Sequence, residues 1–243
     1  MRKSVLLYLL ISSISFVSTA QLDGNTTPTY LELIDRYRQL AFDHEEIELH
    51  AMGKSDYGLP IYVCILNGAQ DSLKTFEKAR QATSLMINNG IHPGEPDGIN
   101  ACLIWIEDWI ASGKNTKDMP VIGIIPSYNV GGMINRSSSS RANQDGPEEY
   151  GFRGNAQNLD LNRDFIKMDS KNMFAFAKIF HALDPDLFID THVSNGADYQ
   201  YTLTYISSVK ERMAPSMAEI TYKRFIPFMR GHLAKQNIDV IPY

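Results

Sequence analysis

Three residues carry the clearest chemical signal in this sequence. His92 and Glu95 stand three apart in Ile91-His92-Pro93-Gly94-Glu95-Pro96. His192 follows the apolar run Leu187-Phe188-Ile189. Pro93 disfavours a helical conformation at His92, and Pro96 does the same at Glu95. Both side chains are therefore expected on a tight loop just past a strand, where an imidazole and a carboxylate can converge on one ion. This differs from H-E-x-x-H, which needs a helix. Two nitrogens and one carboxylate with a free fourth position form a catalytic-type zinc (Zn2+) site, open to a water whose acidity the metal raises. His44, His50, His181 and His232 lack such company and read as ordinary surface or core residues.

The elements that must position these groups follow from periodicity. Tyr30 to Phe42 predicts a helix with Thr29 as cap and a stripe of Leu31, Leu33, Ile34, Tyr37, Leu40 and Ala41. Glu46 to Met52 and Leu59 to Leu66 predict a hairpin turning at Lys54 to Gly58. Gln81 to Asn88 reads as a third strand ending at Asn89-Gly90. Ile99 to Ile110 reads as a helix, with Ala101, Cys102, Ile104, Trp105 and Trp109 available to the core. Val121 to Ile125 and Asp186 to Asp190 read as strands buried on both faces. Asn172 to Leu183 predicts a helix between them. Gln200 to Tyr205 alternates weakly, Pro215 to Lys235 predicts a long helix kinked at Pro227, and Ile238 to Ile241 opens another strand. Alternating strands and helices imply an α/β fold: a mixed, twisted sheet with helices on both faces. In such sheets ligands bind at the carboxyl ends of the strands, where His92, Glu95 and His192 all fall. Asn129 to Arg163 is irregular and polar over about 35 residues. Its place between two buried strands predicts a loop that builds a site.

The chain has 243 residues and a net charge of −5. Met1-Arg2-Lys3 followed by the apolar stretch Ser4 to Val17 and by Ser18-Thr19-Ala20 has the form of a secretory signal peptide over residues 1–20. The expectation is export, to the periplasm or the medium, of a mature 21–243 domain carrying −7 once Arg2 and Lys3 are removed. That acidic balance points away from nucleic acid. No later stretch is apolar enough to span a membrane, so no membrane partner is expected once the leader is removed. Cys64 and Cys102 lie in apolar stretches and read as buried free thiols, not as a disulfide or as metal ligands.

With these residues in view, the sequence resembles the zinc carboxypeptidase family, the M14-type metallopeptidases. His92-Pro93-Gly94-Glu95 resembles the first ligand motif, His192 the third ligand, and Asp160-Leu161-Asn162-Arg163-Asp164-Phe165 the family's Asp-x-Asn-Arg segment. The resemblance implies a metallocarboxypeptidase-type hydrolase in which metal-activated water cleaves the C-terminal bond of a peptide. The implied partner is a peptide or peptide-like substrate with a free C-terminal carboxylate. It further implies that Asn162 and Arg163 bind that carboxylate, a guanidinium fork matching it bidentately. A surface ion pair of Arg163 with Asp164 is the plainer alternative. Asp160 would orient His92 through its far nitrogen. An arginine of the irregular loop would stabilise the oxyanion. Arg153 is the choice over Arg141 and Arg136. Tyr199 and Tyr201 could line the cleft, with strand packing slightly favoured.

Two departures from the family pattern stand out. Where some members carry an arginine before the glutamate ligand, this chain has Gly94. The family's general base is a glutamate on a late strand, whereas here no glutamate follows Glu219 and the chain closes at Tyr243, 51 residues after His192. The expectation is a domain with its last strands missing that binds zinc and turns over poorly, a truncated product in preference to a naturally short binding protein. Two other functions remain open at this point. One is a zinc amidohydrolase or deacylase acting on acyl-amino acids or cell-wall peptides; the other is a non-catalytic zinc- and peptide-binding module.

Overall fold

The structure, a computed structural model, describes residues 25–113, 119–194, 196–197 and 199–243. The expected leader at 1–20 lies outside them. The chain up to Val193 forms one compact unit and Ser194–Tyr243 a second.

In the first unit, Thr29 caps α1 (Tyr30–Asp43) through a reciprocal box. The Glu32 N–H donates to the Thr29 hydroxyl, and the Thr29 N–H donates to the Glu32 carboxylate at 2.8 Å. β1 (Ile47–Lys54) and β2 (Pro60–Leu66) form the expected antiparallel hairpin. α2 (Ser72–Gln81) was not foreseen. It buries only Thr75 and Ala79, too little to leave an apolar stripe, and is held by Asp71, whose carboxylate accepts from the Leu73 and Lys74 N–H groups. β3 (Ser84–Asn88) is accordingly shorter than the sequence predicts.

α3 (Asp97–Ala111) buries Ile99, Cys102, Leu103 and Ile106 at helical spacing. Ile104 and Trp105 face outward, as does Ala101, contrary to expectation. The helix is apolar nearly all round, so composition alone did not mark its inner face. β4 (Val121–Ile125) is buried along its whole length. α4 (Val130–Ile134) and α5 (Lys171–Leu183) follow, and β5 (Leu187–Asp190) closes the sheet. β5 was expected to be buried on both faces. Instead it is an edge strand, with Leu187, Phe188 and Ile189 each 36–37% exposed. Cys64 and Cys102 are buried and free.

The sheet runs β1-β2-β4-β3-β5, with β4, β3 and β5 mutually parallel and β1 and β2 in antiparallel pairs. From β3 the chain steps one way to β4 through α3, then back past β3 to β5 through α5. Right-handed crossovers in opposite directions put α3 and α5 on opposite faces. α1 joins α3 through an Arg36–Glu107 ion pair at 2.7 Å, and α2 packs against α5. The carboxyl ends of β3, β4 and β5 therefore share one edge.

The irregular loop leaves β4 at that edge. Within it lie α4, a bridge between Ser137 and Tyr150, and a single 3-10 turn at Leu161–Arg163. Asn129, fully buried, anchors it. Its side-chain amide donates to the carbonyls of Ile91 (3.2 Å) and Arg153 (3.0 Å), and its oxygen accepts from the Gly132 N–H at 2.9 Å.

In the second unit, β6 (Leu203–Tyr205) and β7 (Val240–Pro242) pair in parallel. The expected long helix is α6 (Pro215–Glu219), a π-helical turn over Ile220–Phe225, and α7 (Ile226–Ala234). The wide turn answers Pro227. Its ring would clash with the carbonyl four residues back, and the Ile226 N–H reaches Thr221, five back.

Asn129→Ala leaves two carbonyls and one N–H without their partner. Urea denaturation should show about 2 kcal/mol of lost stability. A change under about 0.5 kcal/mol would show that the loop is held by other contacts.

Candidate metal centre

The turn after β3 closes through the Glu95 N–H, which donates to the His92 carbonyl at 2.9 Å. Gly94 allows this turn to pack. A β-carbon there would lie 2.7 Å from the Gly151 carbonyl oxygen and 2.8 Å from Cδ of Arg141. Thr191 follows β5 directly and is locked in turn: its N–H donates to the Asn88 carbonyl at 3.0 Å, and its hydroxyl to the Asn89 side-chain oxygen at 2.8 Å. Gly98, at the start of α3, makes room for it, since a β-carbon there would sit 2.1 Å from that hydroxyl.

These constraints bring His92, Glu95 and His192 together. One ligand atom from each lies within 4.8 Å of the others. His92 Nδ1 is 3.2 Å from Glu95 Oε1, and His192 Nδ1 is 2.8 Å from Glu95 Oε2. The two rings stand 5.2 Å apart. Both far nitrogens are backed by carboxylates: His92 Nε2 by Asp160 at 3.0 Å and His192 Nε2 by Asp190 at 3.0 Å. A proton on each Nε2 turns the Nδ1 lone pairs toward the common point, the arrangement that metal-binding histidines require. The donor set fits zinc.

Electrostatics agree. Glu95 is 3% exposed. Burial pushes its carboxyl up, but hydrogen bonds from His192 and His92, together with the Arg141 charge, hold it well below the usual range. The Asp190 and Glu95 carboxylates raise His192 to about 9 against the opposing effect of burial. Without metal, a proton on His192 occupies the space between it and Glu95.

The remaining expected residues fall as follows. Arg153 donates to Asp160 through Nη2 (2.9 Å) and Nε (3.2 Å), leaving Nη1 3.4 Å from His92 Nδ1 and 3.9 Å from Glu95. Arg141 pairs with Glu95 Oε1 at 2.9 Å. Arg136 does not reach the centre. It donates to the carbonyls of Thr27, Pro28 and Glu149 and fastens the start of the described chain. The Asn162 N–H donates to Asp160 at 2.9 Å, and exposed Arg163 donates to the Asn162 carbonyl at 2.8 Å. Asp164 is buried on Ser170 and the Asp169 N–H, so its alternative pairing with Arg163 is not formed. Tyr199 and Tyr201 are half-exposed and precede β6, so they are not packed within that strand; Tyr199 lies edge-on to Tyr243. His50 pairs with Glu48 at 2.8 Å, away from the cluster.

Sequence reasoning missed Asp190 and Asn88. The signal was present in Asp190-Thr191-His192, a carboxylate two residues before a histidine at a strand end. Its partner, Asn88, is a hundred residues away and visible only through strand pairing.

Residues 34–221 match the zinc carboxypeptidase family. The chain is similar to Carboxypeptidase 2 of Trichophyton rubrum, at 24% identity over 182 residues, 72% of this chain and 30% of that protein. It also resembles the solved structure of bovine thrombin-activatable fibrinolysis inhibitor in complex with tick carboxypeptidase inhibitor. There the TM-score is 0.63 at 14% identity, over 90% of this chain and 76% of that one. Carboxypeptidase A from Helicoverpa armigera gives a TM-score of 0.63 at 15% identity, over 90% and 57%. The two structures share the fold. This chain spans 30% of the length of the curated relative.

Because an ion must displace the proton on His192, apparent zinc affinity should rise about tenfold per pH unit up to about pH 9 and then level off. Competition with a chromophoric chelator across this range measures it. A flat response between pH 7 and 9 would contradict the raised proton affinity of His192.

Proposed function

This chain belongs to the zinc carboxypeptidase family, and from that premise we propose that it takes the carboxyl-terminal end of a peptide at the His92–Glu95–His192 centre for zinc-dependent hydrolysis of the last peptide bond. The observation that carries the reading is the convergence of those three donors within 4.8 Å at the carboxyl ends of two neighbouring strands.

In this reading His92, Glu95 and His192 hold zinc. When bound, the ion supplies Lewis acidity that activates water and polarises a carbonyl. Asp160 keeps the His92 ring turned inward. It also draws two nitrogens of Arg153, so that the third faces the centre with little freedom left to lose. A guanidinium fixed in this way favours the charge that develops on a carbonyl oxygen during attack. Asn162 and Arg163, on the 3-10 turn just beyond Asp160, take the substrate's terminal carboxylate. Export, read from Met1 to Ala20, belongs to the same proposal.

Among the described residues, the carboxylates nearest the centre are already engaged and none is assigned as the general base. Around the centre, Glu95 is engaged by two imidazoles, Asp160 by His92 and Arg153, and Asp190 by Asn88 and His192. Positioned acid–base catalysis is worth about 10²–10⁴-fold, so the chain is expected to bind peptides better than it turns them over.

Binding therefore gives the cleaner test. Calorimetry should show the zinc-loaded chain preferring a blocked dipeptide with a free carboxylate over its amide. Arg163→Met should remove that preference, at a cost of about 10- to 100-fold in affinity for the free acid. Equal affinity for acid and amide in the unaltered chain would contradict terminal-carboxylate recognition.

A further inference from the structure

We propose that Asp190, located by Asn88, is a positioning residue for His192, so that the register of β3 against β5 sets the geometry of the metal centre; the inference rests on the zinc reading above. Asn88 and Asp190 are the last residues of their strands and sit opposite each other in the parallel pairing. The Asn88 amide donates to Asp190 Oδ1 at 2.8 Å, and Asp190 Oδ2 lies 3.0 Å from His192 Nε2. One carboxylate thus divides its oxygens between the group that locates it and the ring it orients. Asn88 is fully buried between two strands and cannot swing away.

The two histidines are backed unequally. Asp160, behind His92, also pairs with Arg153 at 2.9 Å, and that cation offsets much of its charge. Asp190 is located by a neutral amide, so its charge acts on His192 with less compensation. A carboxylate behind a ligating imidazole raises the basicity of the inward nitrogen and fixes the ring's rotation, and its loss typically costs 10–100-fold in metal affinity. A one-residue slip of β5 would turn Asp190 to the opposite face of the sheet and break both contacts at once.

Zinc affinity is to be compared across variants at one pH, high enough that a proton competes little for Nδ1 of His192. Chelator competition should give a loss of about 10- to 100-fold for Asp190→Ala. Asp190→Asn keeps the shape without the charge and should fall between it and the unaltered chain. Asn88→Ala should cost several-fold, since Asp190 stays but is no longer located. Cobalt(II) in place of zinc should show its visible d–d bands shifted in the Asp190 variants, a change that loss of fold stability alone does not produce. Should Asp190→Ala not fold, Asp190→Asn carries the test. Folded Asp190 variants binding zinc within twofold of the unaltered chain, with unchanged cobalt bands, would overturn the proposal. His192→Ala separates the two levels. If it abolishes binding while the Asp190 variants do not, only the positioning role fails; if it too binds unchanged, the zinc reading falls with it.

Discussion

A buried carboxylate is the constraint around which this unit is organised. Glu95 is almost wholly removed from water, and an isolated charge there would cost several kcal/mol. The groups that offset that charge are the His192 imidazole, the Arg141 guanidinium, and the Val193 N–H at 3.3 Å. In the metal-free protein a proton on His192 completes the balance, and in the loaded protein a divalent ion would take that proton's place. The site is thus poised for a cation by the same burial that makes its carboxylate costly.

Compensation of this kind needs donors from distant parts of the chain, and the sheet supplies them. Parallel pairing of β3 with β4 and β5 brings three carboxyl ends to one edge. From them leave the His92–Glu95 turn, the Asn129 loop and His192. Small residues then allow the close approach: Gly94 under Arg141 and the Gly151 carbonyl, Gly98 under Thr191. Buried amides stitch the pieces together, with Asn129 joining the His92 turn to the Arg153 loop and Asn88 joining β3 to β5. The centre is held by these buried side-chain amides together with the closed turn after β3.

Much of this was legible in the amino-acid order because the signals were local. Pro93 and Pro96 mark a turn, Val121–Ile125 a buried strand, Thr29 a cap, and each leaves its trace within a few residues. Failures arose where the deciding contact was remote or the local signal weak. α2 buries two side chains and so shows no stripe. α3 is apolar on both sides, and only the packed sheet distinguishes Ile99 and Ile106 from Ile104 and Trp105. β5 has the composition of a central strand but occupies an edge. The polar loop favoured Arg153 over Arg136 and Arg141 without showing what each one meets. Three carbonyls claim Arg136, Glu95 claims Arg141, and Asp160 claims Arg153. Asp190 and Asn88 went unnoticed for a similar reason, since a hydrogen bond across neighbouring strands has no signature in either segment alone.

The central claim is that two imidazoles and one carboxylate, drawn from two strand ends, form a single zinc shell. X-ray absorption at the zinc K edge of the loaded protein tests it most directly. The account predicts two histidine nitrogens at about 2.0–2.1 Å, with their outer-ring scattering, and light oxygen donors completing the shell. Sulfur scattering at about 2.3 Å, or an oxygen-only shell without imidazole features, would contradict it.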